Sequence, residues 1–414
     1  MLLSYVVIQG HWTHTIGKRL VGELKCGRHD DKFRFFLILM PKVKHIMMKQ
    51  IAIRARIVLS LLAGGILAPL FSQTLSMDYI YGGVDDAEVF LQEYLQPYAN
   101  ILGSDLNAGW YNTARPHELG GLDITATVSW AKAPSSALAF DLADLELNGT
   151  IEPNPGTVAP TIAGEQENRP SISYTQMVDM GGGNMQEVEY ARFTVPDGAG
   201  VDFFPLPMAQ LTVGLPFGTD ISARFIPMVG YKDYGEIGLW GVGGKHSISQ
   251  WLPFLKNIKI LDISAQGGYT KVTSSVHVML EPQPLVEVDP YPDYNWDDQF
   301  ITMKVEGWTL NLIASQTFPV ISFYQGIGYA SSMIELMAEG HYPISTVILD
   351  ESSADFGRVT YEIAENPIDL SYKNFNNLRV NVGARLKLGV LTLHYDFTYT
   401  LYATQSVGIG ISFR

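Results

Sequence analysis

The sequence predicts an all-β fold, a transmembrane antiparallel β-barrel of about 12 to 14 strands with a short N-terminal helical plug. Apolar and polar side chains alternate over residues 379–413, as they do in strands whose two faces meet different environments. No apolar run after residue 76 approaches the length of a membrane-spanning helix, although 47% of the chain is hydrophobic. A closed barrel with outward apolar side chains accounts for both observations, because every backbone polar group is then paired within the bilayer.

Residues 47–76 have the layout of a secretory signal peptide. Basic residues precede an apolar run over 57–68, and small or polar residues follow it. This run is too short to cross a membrane as a helix. Residues 1–46 precede the signal, and we interpret them as an upstream extension that does not belong to the native chain. Export combined with the strand pattern predicts a location in the bacterial outer membrane.

The remaining chain, residues 77–414, is strongly acidic. It carries 17 Lys and Arg against 39 Asp and Glu, a formal net charge of −22. Such a chain repels polyanions, so no nucleic-acid partner is expected. The single cysteine, Cys26, lies outside this part, and neither a disulfide nor a thiolate metal site is expected in it. The sequence predicts no cofactor and no metal.

Residues 77–121 predict a helix followed by an irregular segment. Asp85 and Glu88 have the spacing of a capping pattern, and the apolar residues that follow share one helical face. Pro97 and Gly103 are expected to limit the helix. The segment after it is rich in Gly, Asn and Pro and does not suit a membrane strand. It can be a plug inside the lumen or a periplasmic cap or tether, and aromatic residues alternating with glycine favour the plug.

Residues 122–414 are predicted to form the barrel. Leu239 and Trp240 interrupt the alternation within the glycine-rich stretch 238–244, and a β-bulge there would absorb the slip. Long loops of such barrels lie outside the cell and short turns lie in the periplasm. Three polar interruptions are therefore predicted to be extracellular loops: 149–200, 281–299 and 340–370.

The loop 281–299 combines carboxylates with aromatic side chains. The carboxylates could hold Ca²⁺, and Tyr291, Tyr294 and Trp296 could stack on sugars. The acidic residues lack the regular spacing of a calcium loop, which favours a solvated, negatively charged loop.

Three stretches of the sequence resemble a known family. They are Leu95-Gln96-Pro97-Tyr98-Ala99-Asn100, Gly109-Trp110-Tyr111-Asn112-Thr113-Ala114 and Gly214-Leu215-Pro216-Phe217-Gly218-Thr219. These stretches are similar to DUF6588, a family of Bacteroidetes proteins of unknown function, and the resemblance covers most of residues 85–414. That family is similar in layout to FadL-type fatty acid transporters, although their Asn-Pro-Ala hatch motif is absent here. The resemblance implies transport of an apolar substrate by analogy of architecture, without assigning any residue.

No catalytic constellation is predicted, so the chain is not expected to be an enzyme. A hydrolase would need a serine and a histidine within hydrogen-bond reach. His246 is followed by serines at positions 247 and 249, which face away from it on a strand. His394 and Asp396 share an inward face, but no serine follows them in that register. His277 has no partner in the sequence pattern.

The predicted ligand site combines plug aromatics with inward basic residues. Its members are Phe90, Tyr94, Tyr98, Trp110, Tyr111, Arg224, Arg379, Arg385 and Lys387. In this interpretation the aromatic residues line a path and the basic residues attract an acidic head group. The alternative is that the basic residues neutralise carboxylates of the wall or the plug.

Two functions from different classes follow. The first is passive uptake of a hydrophobic or amphiphilic small molecule through the plugged lumen by a monomeric barrel. The second is a structural or surface-interaction role, in which the long extracellular loops bind a partner and the plug is packing. Outer-membrane lipid is an expected partner in both. A continuous apolar pocket between plug and wall would favour uptake, and a packed lumen would favour the structural role.

Overall fold

The computed structural model describes residues 78–231, 235–253, 258 and 260–413. The predicted signal peptide at 47–76 and the upstream extension at 1–46 lie outside the described residues. Within them, no helix is both long enough and apolar enough to cross a membrane.

The described chain begins with a 3-10 turn, Asp78–Gly82, and a helix α1, Val84–Asn107. The strands that follow are β1 Leu122–Lys132, β2 Ala139–Asp141, β3 Thr150–Glu152, β4 Val158–Pro160, β5 Ser171–Asp179, β6 Met185–Thr194, β7 Leu206–Leu215, β8 Thr219–Tyr231, β9 Gly235–Ser247, β10 Leu261–His277, β11 Phe300–Thr317, β12 Ile321–Glu339, β13 His341–Val347, β14 Val359–Glu365, β15 Ile368–Leu388, β16 Leu391–Tyr399 and β17 Ala403–Phe413. Short 3-10 turns lie at Ser135–Ala137, Leu142–Asp144 and Ser249–Trp251.

Ten of these strands close into an antiparallel barrel. Their order around the wall is β1, β17, β16, β15, β12, β11, β10, β9, β8 and β7, and β7 pairs with β1 again. The predicted fold class, an antiparallel barrel with an N-terminal helix, is confirmed. The described wall has ten strands rather than the predicted 12 to 14, because β10, β11, β12 and β15 run for 17 to 21 residues. Strands of about ten residues, as expected for a minimal span, would have given more of them.

The two ends of the barrel differ. At one end, here called the turn end, short turns at 216–218, 318–320 and 389–390 connect neighbouring strands. At the other, the loop end, long connections occupy 133–205, 278–299 and 340–367. The predicted loop regions fall at the loop end.

The three long connections, called the head below, carry small sheets of their own. β3, β5 and β6 form one sheet, β2 pairs with β4, and β13 pairs with β14. A buried apolar cluster joins these sheets to the first half of α1. Its members include Tyr79, Phe90, Tyr174, Phe193 and Tyr342, each less than 5% exposed. Because these sheets and α1 share one buried apolar core, the head is a folded part of the protein rather than a set of separate loops.

The outer wall carries an apolar belt between two rows of aromatic residues. On β17, Val407, Ile409 and Ile411 face outward and are about half exposed, while the residues between them are buried. Outward aromatics towards the loop end are Trp130, Trp240, Tyr269, Trp308, Tyr329 and Tyr399, and those near the turn end are Phe217, Trp251, Phe318, Phe323 and Phe413. Ten residues separate Trp308 from Phe318, which corresponds to a belt about 25 Å high on a tilted strand. This is the surface that a bilayer requires of a barrel.

The bulge predicted at 238–244 is wrong in position. β9 pairs with β10 without a register shift, and the irregularity lies in β8, between Ile226 and Val229. Leu239 faces the lumen and is 3% exposed, whereas Trp240 faces outward. Both are apolar because the lumen itself is apolar at this height.

Candidate functional site

The N-terminal segment, residues 78–121, crosses the whole lumen before the first strand begins. In the head, the Tyr81 hydroxyl donates to the Glu281 carbonyl oxygen at 2.5 Å. At the turn end, the Gly120 N–H donates to the Gly214 carbonyl oxygen at 2.9 Å. The structure therefore places this segment in the lumen, as the plug interpretation predicts. It is called the plug below.

The middle of the plug is buried on every side. Residues 97–111 are buried without exception, including the last three turns of α1. In the half of the lumen nearer the head, Ile101, Leu102 and Leu106 pack against inward apolar residues of the wall. These wall residues are Leu206, Met208, Ile226, Leu239, Val272, Val305 and Ile334. A ten-stranded barrel is little wider than one whose interior side chains already fill it, so one helix occupies this space.

Glycines of the inner wall make room for the plug. Trp110 lies against Gly243 and Gly268, where an added Cβ would lie 2.6 Å and 2.5 Å from the indole ring. Leu106 lies less close to Gly307, where an added Cβ would be 3.1 Å from the Leu106 Cβ. Any larger residue at Gly243 or Gly268 would collide with the plug, and one at Gly307 would be tightly packed against it. The wall is therefore shaped around this segment.

Arg224 of β8 joins the wall to the end of α1. Its guanidinium donates to the carbonyl oxygens of Leu106 at 3.0 Å and Ala108 at 2.8 Å, and to the Gln210 amide oxygen at 2.9 Å. It also lies over the Trp110 ring, 3.8 Å from the centroid. Because the last carbonyl groups of a helix lack partners and carry partial negative charge, an arginine stabilises them there.

Arg379 and Arg385 of β15 are also held by hydrogen bonds inside the lumen. Arg379 donates to the Tyr111 hydroxyl at 2.9 Å and to the Asn311 amide oxygen at 2.7 Å. Arg385 donates to the Asp123 carboxylate at 3.1 Å. Both arginines are 2% exposed or less. Arg385 therefore neutralises a wall carboxylate, as the alternative interpretation of the basic residues predicts, whereas Arg224 and Arg379 bind neutral groups of the plug and the wall.

A buried network of charged groups, called the clasp below, holds the plug at the turn end. Its members are His117, Asp123, Asp220 and Lys245. The imidazole of His117 lies 3.1 Å from Asp220 through Nδ1 and 3.6 Å from Asp123 through Nε2. Lys245 lies 3.0 Å from the same Asp220 carboxylate and donates to the carbonyl oxygens of Thr113 and Arg115. Burial makes such a network costly to break, because each group would lose its partner without gaining water.

Ser412, His117 and Asp220 lie in the order of a nucleophile, base and orienting acid. Ser412 Oγ is 3.4 Å from His117 Nε2, but Asp123 competes for the same nitrogen. Ser412 is 1% exposed, and the adjoining cavity, lined by Trp110 and Lys245 among others, measures about 20 Å³. That volume holds about one water molecule. The arrangement has no room for a substrate and is better described as part of the clasp.

The histidines considered in the sequence have other partners. His394 approaches the Thr127 hydroxyl at 3.4 Å, and Asp396 accepts from Tyr324 at 3.4 Å. His246 lies 2.8 Å from the Thr219 hydroxyl.

The nine predicted site residues do not form one site. Phe90 and Tyr94 lie in the core of the head, and Tyr98 packs on Phe204 at a centroid distance of 5.2 Å. Past the end of α1, two pairs are in contact: Arg224 with Trp110, and Arg379 with Tyr111. Arg385 lies nearer the turn end, where it binds Asp123. Lys387 lies beside the turn 318–320, where its backbone N–H donates to Val320. The prediction of a common ligand path is corrected on this point, because the aromatic stripe of α1 spans two packed cores.

The acidic aromatic loop 281–299 is folded onto the hairpin β13–β14. The Tyr361 hydroxyl donates to Asp289 at 2.5 Å, and Tyr294 and Trp296 lie 4.5 Å apart. His341 lies 2.6 Å from Asp298 and lowers the pKa of that carboxyl. No group of three or more acidic, histidine or cysteine residues in the described part of the chain could hold a metal ion.

Sequence reasoning missed the glycine contacts and the role of His117, although the glycine contacts had a signal in the sequence. Glycine at inward positions of β9 and β10 was a signal, since a strand gains nothing from glycine unless another group approaches closely.

Fold and lumen together define a transmembrane β-barrel closed by its own N-terminal segment. The chain belongs to DUF6588, a family of unknown function, whose model matches residues 48–413. No curated protein matches the chain.

Solved structures with a similar fold are bacterial barrels. The translocator domain of the autotransporter NalP from Neisseria meningitidis is 9% identical, with 78% of this chain and 96% of that chain covered and a TM-score of 0.26. The transport unit of the autotransporter AIDA-I from Escherichia coli is 8% identical, with 78% and 98% covered and a TM-score of 0.24. The ferric-catecholate import receptor Fiu from E. coli K12 is 10% identical, with 71% of this chain and 57% of the receptor covered and a TM-score of 0.23. Such low identities and TM-scores carry no inference about what this chain does.

Proposed function

We propose that the chain is a bacterial outer-membrane barrel with a permanently closed lumen, which acts through its head as a structural or surface-interaction protein. The observation that carries this proposal is the uninterrupted burial of residues 97–111 beside a cavity of only about 20 Å³. Of the two predicted functions, a packed lumen favours the second. Uptake would require the plug to leave contacts that Arg224, Lys245 and His117 hold at once.

The head is the part of the molecule available to a partner. Its own core fixes the loops on a rigid support, and binding residues in barrels are commonly carried by loops of this kind. The surface around 281–299 presents Tyr291, which is 48% exposed, among carboxylates. Because the long loops of such barrels lie outside the cell, we expect this surface at the loop end to face the cell exterior.

Several expectations remain part of the proposal. The chain is not an enzyme, takes no nucleic acid as partner, and contacts outer-membrane lipid through its apolar belt. Bacteroidetes origin and a layout similar to FadL-type transporters stay predictions. In the FadL-like alternative the plug would act as a gate, and an apolar substrate would pass beside it.

Two measurements test the closed lumen: the permeability of the reconstituted barrel and the presence of a molecule bound to the purified chain. The intact chain is reconstituted into liposomes, and influx of a small sugar and of a fluorescent fatty acid is followed. Native mass spectrometry of the chain purified from outer membranes reports any bound molecule. If the lumen is closed, influx into the liposomes should not exceed that into empty liposomes, and no bound apolar molecule should be detected. Influx, or a stoichiometric apolar molecule that is lost when residues 78–118 are deleted, would overturn the proposal in favour of uptake.

A further inference from the structure

The apolar belt has a polar exception on one side of the barrel. Outward side chains of β11, β12, β15 and β16 between the aromatic rows are apolar except at two glutamines, Gln316 and Gln325. Gln316 is level with Phe323 in the turn-end row, because the two residues are register partners. Gln325 lies two residues further along β12, which is about 5 Å deeper on a tilted strand. An amide at that depth faces hydrocarbon, where an unpaired polar group is costly.

The Gln325 side chain is exposed, and its amide makes no hydrogen bond to any residue that the structure describes. Gln405 on β17 is the informative comparison, since it also faces outward. Its amide oxygen accepts a hydrogen bond from the Tyr395 hydroxyl at 3.2 Å. The barrel thus pairs the amide oxygen of Gln405 internally, whereas the Gln325 amide, like that of Gln316 at the level of the turn-end row, is left for a group from outside.

A groove lies beside the unpaired amide. Its volume is about 200 Å³, and the outward residues that line it are Leu261, Ala314, Gln316, Phe323, Gln325 and Val382. The inward residues Ser315, Tyr324 and Gly383 of the same strands complete the lining. Phe323 stands out from the wall and is 49% exposed. The same face therefore offers a protruding ring and a hollow next to each other.

We propose that this face, defined by Ala314, Phe323, Gln325 and Val382, is the interface between two copies of the chain lying side by side in the membrane. A twofold axis along the membrane normal brings identical residues together at identical depth, so Gln325 meets Gln325. A primary amide contains both a donor and an acceptor, and two of them satisfy each other. Lipid ester carbonyl groups can only accept, and they leave the amide oxygen unpaired.

This interface goes beyond the proposed function and requires only that the apolar belt lies in lipid. It replaces the expectation of a monomer. Polar side chains that pair between neighbouring segments are a recognised source of association in membranes, where apolar contact with lipid and with protein are nearly equivalent.

Cysteine cross-linking tests the interface, because Cys26 is the chain's single cysteine and is replaced by Cys26→Ser. Gln325→Cys is compared with Leu211→Cys, which faces outward on β7 across the barrel. Oxidation in native outer membranes should give a disulfide-linked dimer at least about tenfold more efficiently from Gln325→Cys. Equal yields from both variants would overturn the interface, since they indicate random collision.

A second pair of variants measures the amide itself in mild detergent. Gln325→Leu should raise the dimer dissociation constant about three- to twentyfold, whereas Gln405→Leu should leave it unchanged, as expected for one hydrogen-bonded contact in a membrane. A chain that is monomeric by native mass spectrometry and carries a phospholipid lost in Gln325→Leu would overturn the interface and assign the groove to lipid. Either result leaves the permeability test of the closed lumen unaffected.

Discussion

Replacing Gly268 by alanine tests whether the wall is shaped around the plug. The added Cβ would lie 2.5 Å from Cε2 and 2.7 Å from Cδ2 of Trp110. The ring cannot move aside easily, because Arg224 lies over it at 3.8 Å and a Cβ at Gly243 would come within 2.6 Å. Overpacking of a filled core costs about 1–3 kcal/mol, and a ring held on several sides places Gly268→Ala towards the upper value.

Gly267→Ala is the matched control, one residue earlier on the same strand. Its Cβ would point outward and meet its nearest neighbours, Thr309 and Leu310, at 3.8 Å and 3.9 Å, which is ordinary contact. Alanine in an unstrained position reduces the freedom of the unfolded chain, so this variant should be neutral or stabilised by less than about 1 kcal/mol.

The free energy of unfolding is measured by urea titration in detergent, followed by tryptophan fluorescence and extrapolated linearly. Combining Gly268→Ala with Trp110→Leu should remove most of the cost of the glycine substitution, because the collision partner is gone. If Gly268→Ala and Gly267→Ala are equally stable, the plug is not seated on the wall and the account of the lumen fails.

Three further experiments probe other parts of the molecule. Arg224→Met removes the arginine donor of the Ala108 carbonyl oxygen and leaves that of Leu106 with only the 3.5 Å hydrogen bond from Thr270, and should lower the free energy of unfolding by about 2–5 kcal/mol in the same titration. Phe90→Ala opens the core of the head and should cost about 3–5 kcal/mol while the reconstituted barrel stays impermeable; leakage would show that head and lumen are coupled. Thiol labelling of intact cells tests the orientation in the Cys26→Ser background. Asp85→Cys should react with a membrane-impermeant thiol reagent on intact cells, whereas Leu119→Cys at the turn end should react only after lysis. The reverse labelling pattern would show that the barrel has the opposite orientation in the membrane.

Much of the fold could be predicted from the alternation of apolar and polar residues, because each wall residue faces either the membrane or the lumen. Alternation identified the faces of β15, β16 and β17 correctly. It did not give the number of strands, since nothing in a strand's own sequence says where it leaves the membrane. β12 continues for 19 residues, well into the head, where the alternation still holds against a protein core.

Helix α1 runs further than its sequence predicts. Pro97 and Gly103 were expected to limit it, but the helix extends from Val84 to Asn107 through both. Pro97 removes one backbone donor, yet packing on all sides of the plug outweighs that local cost. Gly103 is needed there, because an added Cβ would lie 2.5 Å from the Ser332 hydroxyl.

The partners of the basic residues could not be predicted. Arg224 was identified as inward-facing, but the carbonyl oxygens that it binds lie more than a hundred positions away. Sequence pattern fixes which way a strand residue points, and only the closed barrel fixes what it meets across the lumen.

Single-channel conductance in planar bilayers tests the closed lumen most directly. The intact chain is compared with the double variant Ala114→Cys and Ser264→Cys, which joins plug to wall where Ser264 Oγ donates to the Ala114 carbonyl oxygen at 2.5 Å. Both proteins should be silent, because the plug already fills the barrel. Openings of the intact chain that disappear when the disulfide forms would mean that the plug moves, and would contradict the account.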